Sequence, residues 1–204
     1  MKNKIIGLVI CIILFIYFFG GVIYNFVLDK PIKVNKNEVK SSNTIKGYEY
    51  LLYDDDLDIY KNEFNILKKN LEGKKIDYEE YAKSISKMFL IKLYSLGNID
   101  NKYDIKGTEF IYLDALENFK LNVLNTLNKY IEDNSEGNRK QELPIVNNVK
   151  VNSFEEIKFD INEEEYDAYK VKLIIEYKKD LGYDKEAELI IVKRDKYLYI
   201  VEKN

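Results

Sequence analysis

The side chains that could do chemistry in this chain are carboxylates, tyrosines and one thiol, because its 204 residues include no histidine and a single cysteine, Cys11. Without histidine the usual general base and the commonest metal ligand are both missing, and one cysteine allows no intrachain disulfide and almost no zinc site. Calcium has one opening. Asp54, Asp56 and Asp58 match the first half of a calcium loop, but Ile59 stands where the turn glycine belongs and Asn65 where the bidentate glutamate belongs. The acidic run is read instead as complementing the dipole of a helix that starts there. Glu163-Glu164-Glu165 is read as solvated surface, since nothing marks one of its members as tuned for proton transfer. No catalytic, cofactor-binding or metal-binding residue is assigned, and no cofactor is expected. Tyrosine, with 18 copies, supplies the remaining polar groups a pocket could use.

One segment constrains where such groups can work. From Ile5 to Leu28 there are twenty-four residues without a charged side chain, between Lys2/Lys4 and Asp29/Lys30. As a helix this run reaches about 36 Å against a hydrocarbon core of ~30 Å, so it reads as a membrane span, with the lipid bilayer as its first partner. A cleaved signal peptide would have a shorter apolar region and small residues at the cleavage site, where this chain has Phe18-Phe19 before Gly20-Gly21. A lipoprotein signal would place a small residue before Cys11, where Ile10 stands, and a water-soluble core helix would show a polar face. Counting lysines alone favours the far flank inside, through Lys30, Lys33, Lys36 and Lys40. A four-residue tail carries little topological information, however, and N-terminal anchors generally export the domain attached behind them, so the amino terminus is read as inside. The expected location is the cell membrane, single-pass, with an extracytoplasmic domain.

Residues 29–46 are rich in Lys, Asn and Ser, contain Pro31 and show no apolar period, which reads as a tether. The domain is then residues 47–204, and at 46% hydrophobic and 14% aromatic the chain can fill one core. Net charge is −3, and setting aside Lys2 and Lys4 leaves −5, a surface that repels phosphate backbones, so no nucleic acid is expected.

Within the domain, Leu57, Tyr60, Phe64, Leu67 and Leu71 predict a first helix ended by Gly73. Asp77 and Glu80 in capping-box spacing open a second, carrying Tyr78, Tyr81, Ile85, Met88 and Phe89 towards Tyr94 and Leu96. A third starts at Asp114 and carries Leu116, Phe119, Val123, Leu127, Tyr130 and Ile131, with Phe110-Ile111-Tyr112 before it as a brief strand. After a loop with Gly137 and Pro144 the period changes to two. Val149/Val151 with Ile157/Phe159/Ile161, then Tyr169/Val171/Leu173/Ile175/Tyr177, then residues 186–193 and 197–201 predict a curved antiparallel meander of three to four strands. On its first two strands Lys158, Asp160, Lys170, Lys172 and Glu176 are expected on the face opposite the apolar one, with a bulge or turn within residues 153–156.

Three helices, a short strand and a curved meander make an α+β fold whose element order resembles the cone-shaped domain of the nuclear-transport-factor-like (cystatin-like) superfamily, over about Tyr48 to Lys203. Behind a membrane anchor, the layout is similar to the bitopic assembly proteins of conjugative and type IV secretion systems. Those of Gram-negative systems often carry an Asn-Pro-x-Gly turn, and here Pro144 lies in Leu-Pro-Ile-Val, so no functional residue carries over. The resemblance implies a bacterial-envelope interaction or scaffold domain without enzymatic activity, contacting other envelope proteins or itself. The second reading is a small apolar ligand, or isomerase-like proton transfer, in a pocket between helices and sheet. Tyr94, Tyr112, Tyr169 and Tyr177 would be its polar tips. A filled interior favours the first, an open hydroxyl-lined one the second.

Overall fold

The structure, a computed structural model, describes residues 41–204; the span read at residues 5–28 and the tether up to residue 40 lie outside them. Among the described residues no helix is long and apolar enough to cross a membrane.

Helix α1 (Asp58–Leu71) buries Tyr60, Phe64, Leu67 and Leu71, the stripe set by their spacing. Its N-cap is Leu57, with no side-chain cap. The run of three aspartates therefore precedes the helix instead of opening it, and Asp56 Oδ2 accepts from the Tyr53 amide at 2.8 Å. Helix α2 (Tyr78–Tyr94) begins with the N-cap half of the expected capping box, the Asp77 carboxylate accepting the Glu80 amide at 3.1 Å, while the Asp77 amide donates to Asn70 Oδ1 at 2.9 Å in place of the Glu80 side chain. It is buried on nearly every side. Tyr81, Ala82, Ile85, Met88, Phe89 and Leu90 have no exposure, because α1 packs on one flank and the main sheet on the other. Ser86 is tolerated there because its hydroxyl donates to the Ala82 carbonyl at 2.7 Å.

Helix α3 (Leu116–Asn125) comes after a 3-10 turn at Leu113–Ala115 and stops earlier than its apolar pattern, which runs on to Ile131. Thr126 leaves the helix at φ −122 and its hydroxyl donates back to the Asn122 carbonyl, so local side-chain bonding wins over periodicity. The brief strand expected at residues 110–112 is also reduced. Thr108–Phe110 is a 3-10 turn, and only Ile111 bridges to Ile200, the Tyr112 amide donating to the Ile200 carbonyl at 3.0 Å.

Strands β3 (Val146–Ile161), β4 (Glu164–Tyr177), β5 (Glu186–Arg194) and β6 (Tyr197–Lys203) pair in sequence order, all antiparallel, as the short connections predict. Val149, Tyr169, Val171, Leu173, Ile175, Leu189, Ile191 and Ile200 face α1 and α2 in one core. The α+β class, the three helices and the antiparallel sheet thus agree with the reading. A small pair, β1 (Ser41–Thr44) with β2 (Leu51–Tyr53), was not foreseen. It draws the last residues of the stretch read as tether against the domain, with Ile45 only 1% exposed. A strand of four residues is too short to show alternation.

One expectation about faces is corrected. The register of β3 shifts between Val151 and Ser153, one residue being inserted, and from there the strand presents its other side. Lys158 lies across from Asp167 and Asp160 from Glu165, on the side of Tyr169 and Val171, whereas Ile157 lies across from Ala168 and Phe159 from Tyr166, on the side of Lys170 and Lys172. The away face consequently has a small apolar row of its own, Ile157, Ala168, Val192 and Tyr199 across the four strands, with Ala168 and Val192 buried.

Candidate functional site

The interior between helices and sheet is occupied by side chains. Phe64, Leu67, Tyr81, Ile85, Met88, Phe89, Phe110, Val171, Leu189 and Ile191 have no exposure and belong to a single cluster. Burying each large member contributes roughly 1.5–3 kcal/mol. The four tyrosines read as polar tips of a cavity there are distributed over three places.

Tyr94 and Tyr177 come together. Their rings meet edge to face at 6.3 Å, the Tyr94 hydroxyl donates to Asp184 Oδ2 at 3.0 Å, and the Tyr177 hydroxyl donates to the Asp184 carbonyl at 2.7 Å. Tyr183 adds a third ring 6.4 Å from Tyr177. With Leu127, Tyr130, Ile131 and Gln141, the Tyr94, Tyr183 and Asp184 side chains line a surface depression of about 320 Å³. Burial and the neighbouring Asp184 carboxylate push the Tyr94 hydroxyl above the ordinary tyrosine value, and burial raises Tyr177 in the same direction. Both are thus neutral hydrogen-bond donors throughout the physiological range.

Tyr169 does something else. It stacks on Phe154 at 5.3 Å and is nearly buried, closing the distal end of the core. Tyr112 lies beyond β6, on the away face, 6.0 Å from Tyr199. The Arg194 guanidinium sits 5.1 Å from the Tyr112 ring and 5.3 Å from the Tyr166 ring and donates to the Tyr112 hydroxyl. Beside it, Lys158, Lys193 and Arg194 alternate with Glu165, Asp167 and Asp195 around an open depression of about 440 Å³. Three cations and three carboxylates select no net charge in a ligand, and Lys158 is already held by Asp167 at 2.8 Å.

Two polar clusters lie in places sequence reasoning did not mark. The Tyr50 and Tyr81 hydroxyls share a buried hydrogen bond of 2.8 Å, and Tyr81 also accepts from the Leu198 amide at 3.4 Å. Lys92 is enclosed, its side chain 12% exposed: its ammonium lies 3.0 Å from Asp56, 3.8 Å from Glu109 and 4.4 Å from the centre of the Tyr60 ring. It ties the segment before α1 to α2 and to the turn at Thr108–Phe110. Each of these groups makes its contacts across 30 or more residues of chain or between separate elements, so no local spacing could have exposed them. Comparison with protein family models, with curated proteins and with solved structures finds no match to this chain.

Proposed function

We propose that this protein is a membrane-anchored interaction or scaffold domain, held outside the membrane by residues 5–28 and working by contact with other envelope proteins or with itself. Conjugation-type or other cell-envelope assembly is the setting that the nuclear-transport-factor-like layout suggests. The observation that carries the reading is the filled interior: large side chains occupy the place where a ligand-binding or isomerase-like relative would keep its cavity, and Tyr94, Tyr112, Tyr169 and Tyr177 are spent on separate contacts. The surface supports it as well, since Leu113, Leu121 and Tyr130, before, on and after α3, are 75, 55 and 77% exposed.

The test has two arms. Carbonate washing of native membranes should leave the chain in the pellet, and photoreactive reporters at residues 121 and 130 should form adducts with other envelope proteins. Recovery of the free chain in the wash overturns the anchor. Recovery of monomer alone, with a small molecule retained by the purified protein, overturns the interaction reading in favour of the depression beside Tyr94.

A further inference from the structure

β3 is the edge of the main sheet, and its far end runs past β5. The pairing of β4 with β5 ends at Ala168 and Val192, whereas β3 and β4 continue together to Ile161 and Glu164. Beyond Ile157 and Ala168 the two strands therefore form a ribbon unpaired on both sides, and β3 adds to it the edge it leaves open along its whole length, an arrangement that recruits another strand unless something prevents it. Lys158 and Asp160 are exposed along this edge, with Ile157, Phe159 and Ile161 half-exposed between them.

The order of those five residues, Ile-Lys-Phe-Asp-Ile, is its own antiparallel complement. When two copies pair about a two-fold axis at Phe159, Phe159 meets Phe159, each Ile157 meets Ile161, and each Lys158 meets Asp160. Neighbouring registers match less well. An axis at residue 158 stacks lysine on lysine and one at 160 stacks aspartate on aspartate, while one at 157 keeps Glu156 against Lys158 but sets Glu155 against Phe159 and Asp160 against Phe154. The charges that discourage indiscriminate pairing thus permit this register. The structure also leaves a deficit that the second copy fills. Asp160 lies directly across from Glu165, like charge on like, and makes no ion pair among the described residues. A lysine arriving from the other side sets a positive charge against Asp160 and offsets the repulsion from Glu165.

We infer that the ribbon tip is a self-association site, at which a second copy of this chain adds its β3 edge to this one through residues 157–161. The inference rests on the reading of the chain as a membrane-held contact module. Five paired residues are too few for stable association in free solution, and confinement to a bilayer supplies the effective concentration.

The test is oxidative crosslinking of the full chain in its native membranes, with Cys11→Ser removing the native thiol. Phe159→Cys places two thiols across the axis at a Cα separation of roughly 4.5–5.5 Å, within disulfide reach. It should give a covalent dimer at least tenfold faster than Glu155→Cys, whose copies lie about 26 Å apart along the strand. In the Phe159→Cys background, Lys158→Asp or Asp160→Lys alone should slow crosslinking about tenfold, and the two together should restore it. Circular dichroism on each variant separates lost pairing from lost fold. Equal rates from residues 155 and 159, absence of the dimer, or single reversals that behave like the swap would overturn the proposal. Loss of the 159 dimer in carbonate-resistant membranes sinks self-pairing alone, whereas extraction of the chain by carbonate sinks the anchored reading itself.

Discussion

Tyr81 shows how much one side chain can hold together. Its hydroxyl bonds Tyr50 and the Leu198 amide, and its ring meets Tyr48 and Tyr50 edge to face at 6.0 and 6.2 Å, so helix α2, the segment before α1 and strand β6 converge on it. Tyr81→Phe strands both partners in a buried site and should cost about 1–3 kcal/mol, while Tyr50→Phe leaves the Leu198 bond intact and should cost about 0.5–1.5 kcal/mol, both read from urea denaturation. Lys92 is the second such residue. Replacing it with Met leaves Asp56, 13% exposed, facing Glu109 without its cation, and should destabilise by about 2–3 kcal/mol, with Asp56→Asn recovering part of the loss. Gly107 is fixed for two reasons at once. Its φ is +82, and a Cβ would approach the Phe89 ring to 3.1 Å, in the centre of the core.

At the scale of elements, the β3–β4 ribbon turns through Asn162 and Glu163, both left-handed at φ 52 and 69. Two central residues of this kind suit a hairpin whose twist matches its strands, but only asparagine tolerates the conformation cheaply. Glu163→Gly should accordingly stabilise the domain by about 0.5–1 kcal/mol in denaturant melts. Helices and strands of the core were legible because their apolar residues keep a period over several turns: Tyr60, Phe64, Leu67 and Leu71 in α1, Tyr169 to Ile175 in β4. What failed to show was set by single residues or by distant partners. Thr126 cut α3 short, the bulge expected within residues 153–156 fell one residue earlier and its effect on the faces of β3 went unread, and Asp184 came to Tyr94 from ninety residues away. The tyrosines were visible as a type, yet which two would meet depended on the β4–β5 connection, for which no pattern exists.

For the whole molecule, the buried tyrosines and the surface ion pairs bound the pH range of stability from opposite ends. Burial raises the hydroxyls of Tyr50, Tyr60, Tyr81 and Tyr94 above their ordinary value of 10.0. The unfolded chain then releases those protons first, so stability is full below about pH 10 and declines as pH rises beyond it. Ultraviolet titration should show exposed tyrosines ionising gradually and the buried set ionising together with cooperative unfolding. At the acid end the hydrogen-bonded lysines Lys158, Lys150 and Lys185 hold Asp167, Glu176 and Asp180 below their ordinary values of 3.8, 4.5 and 3.8. Their contribution is present above those values and lost as pH falls beneath them, so melting temperature should be flat from pH 8 to about 5 and drop below about 4.

The scarcity of arginine makes a measuring device of the fold. The chain contains two, Arg139 and Arg194. The first donates to the carbonyls of Gly97 and Ile99, and the second is clasped between two aromatic rings at the β5–β6 turn. An arginine-specific protease must draw the guanidinium into its own pocket and straighten the flanking backbone, so cleavage at either position waits on a local opening. Two cuts give fragments of distinct mass, and the ratio of their rates reports which latch releases first, the long loop beneath α2 or the sheet's far corner.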